Sequence, residues 1–320
     1  MRVLVTGASG FVGSRLVEVL KDKDDFQVTG AVRRQVVERK DGIKHINVGE
    51  LSPDTDWAEA LKGVDVVIHA AARVHVMNDV EADPLAVFRK VNVEGTLNLA
   101  RQAIDSGVSR FIFISSIKVN GEGTVPGNPF TAEDVPTPID PYGISKMEAE
   151  AGLRDIASGS RLEVVIIRPV LVYGPGVKAN FLNMMRWLDK GIPLPFGSIS
   201  NRRSLVALDN LVDLIITTAT HPAAANQTFL VSDGEDLSTT QLLRRMATAL
   251  NKKAFLLPIP SVILSMGASL LGKKSLSQRL CGSLQVDIDK TCSLLSWRPP
   301  VTVDQALGLA ASYYLERKNS

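Results

Sequence analysis

Val3-Leu-Val-Thr-Gly-Ala-Ser-Gly-Phe-Val-Gly-Ser14 is an apolar run that meets glycines at 7, 10 and 13 and continues into an amphipathic run from Ser14 to Leu20. The pattern predicts a buried strand, a tight glycine turn and the first turns of a helix. Gly7 turns the chain, Gly10 lets a pyrophosphate approach the backbone with no Cβ in the way, and Gly13 lets the helix pack close on the strand. The free N–H groups and partial positive charge of the helix N-terminus suit phosphates. Phe11 and Val12 belong to the same turn and count with the glycines as cofactor contacts. The spacing is G-x-x-G-x-x-G, and with a strand before it and a helix after it the motif points to dinucleotide binding.

Working outward, strands are expected at Gln27–Val32, Lys44–Val48, Val64–His69, Phe111–Ser115 and Val164–Arg168. Helical patterns at Asp56–Leu61, Pro84–Ser106 and Tyr142–Ala157 fall between them. Such alternation predicts a doubly wound α/β fold, a parallel sheet covered on both faces with its ligand along the carboxyl ends of the strands. After Arg168-Pro169 the loops become rich in Pro and Gly, and helices at Asn180–Lys190, Leu208–Thr220, Ser238–Asn251 and Val303–Lys318 are separated by short strands. The expectation is a dinucleotide-binding domain over 1–170 and a smaller, mostly substrate-binding lobe over 171–320. The boundary is soft, because elements of the lobe can return to the sheet.

Composition bounds the function classes. A chain of 320 residues with net charge +2 gives no argument for nucleic acid. Two cysteines, Cys281 and Cys292, suit a reducing compartment, and the N-terminus reads as a strand rather than a signal peptide, so a cytoplasmic protein is expected. The apolar stretch Ala254 to Gly272 is broken by Pro258 and Pro260. What remains is too short to span a bilayer and reads as a lobe helix, so no membrane insertion is expected. No metal site is expected.

Enzymes that bind NAD place an acid about 20 residues past the glycine turn, where it holds the ribose 2′-OH. Here the second strand ends in Arg33-Arg34. Two guanidinium groups at that place suit the 2′-phosphate of NADP, so NADP(H) is favoured and NAD(H) is the alternative. Glu50, after the third strand, is a candidate for the adenine amino group, with Leu51 beside it. The catalytic candidates are Ser116, Tyr142 and Lys146. Tyr142-Gly-Ile-Ser-Lys146 opens a helix, so the phenol and the amine lie one turn apart on one face. A cation beside a phenol is expected to lower its pKa, so that the tyrosine can act as acid or base. Ser115 and Ser116 end a strand, where a hydroxyl can hold a carbonyl or hydroxyl oxygen.

These motifs resemble the extended short-chain dehydrogenase/reductases, the nucleotide-sugar epimerase/dehydratase group, over nearly the whole chain. The resemblance rests on Thr6-Gly-x-x-Gly-x-x-Gly13, Asp65-Val-Val-Ile-His-Ala-Ala-Ala72, Asn92-Val-Glu-Gly-Thr96, Ser115-Ser116, Tyr142-x-x-x-Lys146 and Arg168-Pro-Val-Leu-Val-Tyr-Gly-Pro-Gly176. It implies that Ala70, Ala71 and Ala72 line the adenosine–pyrophosphate path. Asn92 would order the active-site backbone, and Pro169 to Val172 would approach the nicotinamide. Asn180 and Arg202 would contact the substrate diphosphate, with Arg279 a second candidate arginine. It also implies a homodimer built on the helices Pro84–Ser106 and Tyr142–Ala157, and a UDP-linked sugar as substrate.

Two departures narrow the chemistry. Dehydratases of the group carry Asp-Glu directly after the catalytic hydroxyl residue, and here those positions are Ile117 and Lys118. Epimerases favour an acid after the second strand, which Arg33 and Arg34 replace. The run Arg73-Val-His75-Val-Met77 faces the expected sugar site and resembles reductases of 4-keto-6-deoxy amino-sugar nucleotides in bacterial surface-polysaccharide synthesis. The expectation is an NADP-dependent reductase acting at C4. A 4-epimerase of UDP-glucose or UDP-N-acetylglucosamine with tightly held NAD is the alternative, and a non-catalytic NADP-binding protein a minor one.

Overall fold

The computed structural model describes residues 1–34, 42–74, 83–270, 278 and 280–319. Seven parallel strands form the main sheet: β1 (Arg2–Thr6), β2 (Gln27–Val32), β3 (Lys44–Asn47), β4 (Val66–His69), β5 (Arg110–Ile114), β6 (Glu163–Pro169) and β9 (Thr228–Val231). Their order across the sheet is β3-β2-β1-β4-β5-β6-β9. The order reverses beside β1, where a doubly wound, Rossmann-type sheet opens its ligand crevice.

Strand periodicity sorts the side chains into two layers. Val3, Val5, Val66, Ile68, Ile112, Ile114, Val165 and Ile167 belong to one core, shared with α1 (Phe11–Lys21) and α7 (Leu208–Thr220). The alternate residues Leu4, Val67, Phe111, Phe113, Val164 and Ile166 belong to a second core with α2 (Ala58–Leu61), α4 (Gly95–Asp105) and α5 (Pro141–Ser158). Burial on both faces accounts for the nearly continuous apolar strands.

The segment expected as one helix over 84–106 is interrupted. It comprises α3 (Pro84–Phe88), a π turn (Arg89–Glu94) and α4. A π turn holds one extra residue, which periodicity over a short window does not reveal, and such turns cluster at functional sites. This one carries Asn92.

Beyond residue 170, β9 and α7 complete the large sheet and one of its covers. The remaining elements build a third core around Tyr173, Phe181, Met185, Leu205, Leu243, Met246 and Leu307. It includes the sheet β10-β8-β7 (Asp236–Leu237, Arg203–Ala207, Leu171–Tyr173) with α6 (Ala179–Asp189) and α8 (Thr239–Ala249). Helices α9 (Ser261–Leu270), α10 (Asp289–Leu295) and α11 (Val303–Asn319) follow. Among the described residues no helix is long and apolar enough to cross a membrane.

Candidate active site

The glycine turn is built as its spacing implies. Gly7 has φ +66°, and a Cβ there would come within 2.9 Å of the Ala70 and Ala71 backbone. A Cβ on Gly13 would lie 2.2 Å from the Gly7 carbonyl oxygen, so any side chain would drive α1 off β1. The N-cap of α1 is Gly10, which offers no side chain to the first-turn N–H groups. Those donors face an anion site by default.

The turn lies at one end of a cleft of about 580 Å³. The cleft brings together Gly7, Gly10, Phe11, Val12, Gly13, Arg33, Glu50, Leu51, Ala70, Ala71, Ala72, Arg73, Ser116, Tyr142, Lys146, Pro169 and Val172. Its further lining residues Trp57, Val91 and Ile114 carried no sequence motif that marked them. An uncapped helix end, a glycine cradle and a hydroxyl–phenol–amine set in one cleft fit a dinucleotide and a polar substrate. Arg34 is exposed beside the cleft. His75 and Arg279 lie outside the described residues.

Helix α5 presents the catalytic candidates. Asp140 caps it through the Gly143 N–H at 2.7 Å, and Pro141 occupies its first turn. The Tyr142 ring meets Phe88 edge-on at 6.0 Å. Lys146 is buried, donates from Nζ to the Ile114 carbonyl oxygen at 2.8 Å, and lies 4.3 Å over the Phe113 ring. The Lys146 ammonium is 6.0 Å from the Tyr142 ring centroid.

This geometry corrects the expected ionisation. Burial, with the Asp140 charge adding to it, holds the Tyr142 phenol above its ordinary pKa rather than below it. Burial lowers Lys146 to about 7, against which the Glu150 carboxylate pulls upward. Desolvation is the larger cause of both shifts.

Behind the cleft lie buried polar side chains that support it, among them Glu150, which no sequence motif marked. His69 bridges β1 and α4, with Nδ1 2.7 Å from Thr6 Oγ1 and Nε2 2.9 Å from Thr96 Oγ1. Burial, and then the charge of Lys146, lower it to about 3, so it is a neutral strut. Glu150, also buried, accepts hydrogen bonds from Ser115 Oγ at 2.6 Å and from Arg168 Nε at 2.9 Å. Both Ser115 and Ser116 line the cleft, and the Ser115 hydroxyl is committed to Glu150. Asn92 accepts from the Arg73 N–H at 2.8 Å and donates to the Arg73 carbonyl oxygen at 3.0 Å and to Ser145 Oγ at 3.0 Å. It ties the loop after β4 to α5 without itself lining the cleft.

Ile117 is buried, and Lys118 bonds Asp140 and Glu122. No acid–base pair therefore stands at the two positions after Ser116. Arg33 lies 3.6 Å from Glu50 across the cleft mouth, both largely exposed. Arg202 is exposed, and the half-buried arginine is its neighbour Arg203, which donates to the Gly282 carbonyl oxygen at 3.0 Å. Neither arginine lines the cleft, and Arg202 directly precedes β8. Asn180 is half-buried in the first turn of α6.

Comparison with known proteins identifies the family. The chain is 54% identical over 318 residues to a UDP-glucose 4-epimerase of Vibrio cholerae, covering 99% of this chain and 96% of that one. It is 29% identical over 333 residues to an N-acetyl-alpha-D-glucosaminyl-diphospho-ditrans,octacis-undecaprenol 4-epimerase of Escherichia coli O157:H7, covering 97% and 94%. The solved structure of MoeE5 in complex with UDP-glucose and NAD shares the fold over 100% of both chains, with TM-score 0.77 and 24% identity. Residues 3–232 match the model of one family, and the chain belongs to it: the NAD dependent epimerase/dehydratase family.

Proposed function

We propose that the chain is an enzyme that oxidises and reduces C4 of a UDP-linked sugar, and that its net reaction is 4-epimerisation with NAD held in the cleft. The observation that carries this reading is the end-to-end 54% identity to the Vibrio cholerae UDP-glucose 4-epimerase. The site supports it. Ser116, Tyr142 and Lys146 share one cleft, and positions 117 and 118 lack the acid–base pair that dehydration needs. Glu50 brings to the cleft mouth the carboxylate that the end of β2 lacks, a candidate acceptor for ribose hydroxyls.

The dinucleotide, when bound, supplies the hydride acceptor and donor. The protein's own groups handle the proton and the oxygen. The Tyr142 phenolate takes the proton from the sugar 4-hydroxyl as the ketone forms and returns it when the alcohol is regenerated. Ser116 Oγ hydrogen-bonds the same oxygen and orients it. Lys146, when protonated, stabilises the phenolate. Asn180 and Arg202 are the candidates for the diphosphate, Arg202 being exposed while Arg203 is committed to the Gly282 carbonyl.

A second reading has its own support. Arg33 and Arg34 follow β2 where a 2′-phosphate would lie, which favours NADPH-dependent reduction of a UDP-4-keto-6-deoxy amino sugar. One experiment separates the two. The cofactor released from purified protein is identified by mass, and turnover is followed by NMR with UDP-glucose, UDP-N-acetylglucosamine and a UDP-4-keto-6-deoxy sugar. Retained NAD with conversion of an unreduced sugar to its C4 epimer supports the first reading. NADPH consumption with the ketone alone replaces it with the second, and no turnover with any of the three sinks both.

A further inference from the structure

The second lobe carries an apolar face that its own core leaves uncovered. Residues 254–257 run extended beside Leu194: the Leu194 N–H donates to the Phe255 carbonyl oxygen at 2.9 Å and the Leu257 N–H to that of Leu194 at 2.8 Å. Strand periodicity splits the segment. Ala254 and Leu256 pack against the third core, while Phe255 and Leu257 are 57% and 49% exposed. Four residues on, α9 exposes Val262, Ile263 and Met266, each 59% or more. Positions i, i+1 and i+4 lie on one side of a helix, so these three continue the same face.

The surroundings of this face are basic. Lys252 and Lys253 precede it and are exposed, as is Lys190 beside the neighbouring strand. From residue 251 to residue 286 the sequence has no Asp or Glu, although the whole chain has 34. One carboxylate nearby, Asp189, is already held by Lys318 at 2.6 Å and Tyr314 at 3.0 Å, with Lys252 at 3.8 Å.

We propose that this face docks the protein on an anionic lipid bilayer, with the α9 side chains at the boundary of headgroups and acyl chains and the lysines on the phosphates. An apolar helix face bordered by cations is the pattern of a segment that lies in the interface plane. Self-association fits less well. A two-fold dimer sets one patch against its own copy, and here it would bring Lys252 and Lys253 near their mates. The proposal is independent of the reaction at C4.

The test is flotation of the full-length protein with vesicles of phosphatidylcholine containing about 30% phosphatidylglycerol, against pure phosphatidylcholine. The wild type is expected to float with the anionic vesicles at low salt. Lys252→Gln/Lys253→Gln is expected to weaken partitioning roughly 20- to 30-fold, at about one factor of five per lysine. Ile263→Asp is expected to abolish it, with turnover of nucleotide sugar unchanged in both variants. The proposal is overturned if the wild type stays with the buffer, or if neither variant alters flotation. It is also overturned if Ile263→Asp only dissociates a dimer in lipid-free buffer, which would make the face a contact between copies.

Discussion

Replacing Glu150 with Gln removes one charge from the most buried ionic cluster behind the cleft and leaves the shape nearly intact. The Glu150 side chain is 0% exposed and that of Arg168 2%. The carboxylate takes two hydrogen bonds from Arg168, at 2.9 Å and 2.5 Å, one from Ser115 at 2.6 Å and one from Arg154 at 3.0 Å. Arg154 is half-exposed and contributes little. The cost is set by Arg168, whose guanidinium stays buried with two neutral acceptors, the amide oxygen at position 150 and Asn120 Oδ1 at 2.9 Å, and no countercharge between them. Breaking a buried pair from one side costs about 3–5 kcal/mol, which is roughly two to three and a half decades in the folding equilibrium. Equilibrium urea unfolding of wild type, Glu150→Gln, Arg168→Met and the double variant measures it. The double variant should recover most of the loss, since a neutral pair carries no stranded charge. A single-variant loss under about 1 kcal/mol, or a double variant as unstable as the sum of the singles, would refute the reasoning.

Three further outcomes are expected. Tyr142→Phe should lower turnover by roughly 10²–10⁴-fold while cofactor affinity, by fluorescence titration, stays within a few-fold; full activity would remove the phenol from the reaction. The cofactor-free protein should gain stability as pH rises from about 7 toward 10. Lys146 is depressed to about 7 in the fold, so across that window the unfolded chain binds a proton that the folded one does not. The slope is at most about 1.4 kcal/mol per pH unit, and urea midpoints of Lys146→Met that rise as steeply as wild type would contradict it. Arg33→Asp should lower affinity for NADP(H) relative to NAD(H). A charge-assisted contact is worth about 1.5–3 kcal/mol, and the exposure of Arg33 puts the effect at the low end, about tenfold. An unchanged ratio in calorimetry would take Arg33 out of cofactor choice.

What the sequence disclosed follows the physics that each feature obeys. The glycine turn, the parallel strands and the helix that opens on Tyr142 rest on local signals: apolar runs, residues that need special backbone geometry, and 3.6-residue spacing. These place the cleft without knowledge of what packs behind it. The π turn does not, because its extra residue is stabilised by what Asn92 reaches, the Arg73 backbone and Ser145. Arg202 and Arg203 are both basic and adjacent, and only the packing of β8 leaves the first exposed and the second half-buried.

Ionisation is the property least visible in the residues alone. Tyr142 and Lys146 at i and i+4 invite the conclusion that the amine lowers the phenol pKa. In the fold, the same burial that brings them together disfavours both charges, raising one pKa and lowering the other. One turn on, Glu150 raises Lys146, while the cap carboxylate Asp140, bonded to Lys118, adds to the rise at Tyr142. Lys118 stands where dehydratases of the resembling group carry an acid. Here a cation stands there and bonds Asp140, the N-cap of α5. The chemistry open to Ser116, Tyr142 and Lys146 therefore depends on the charges beside them, Asp140 raising the phenol pKa and Glu150 opposing the fall at the amine.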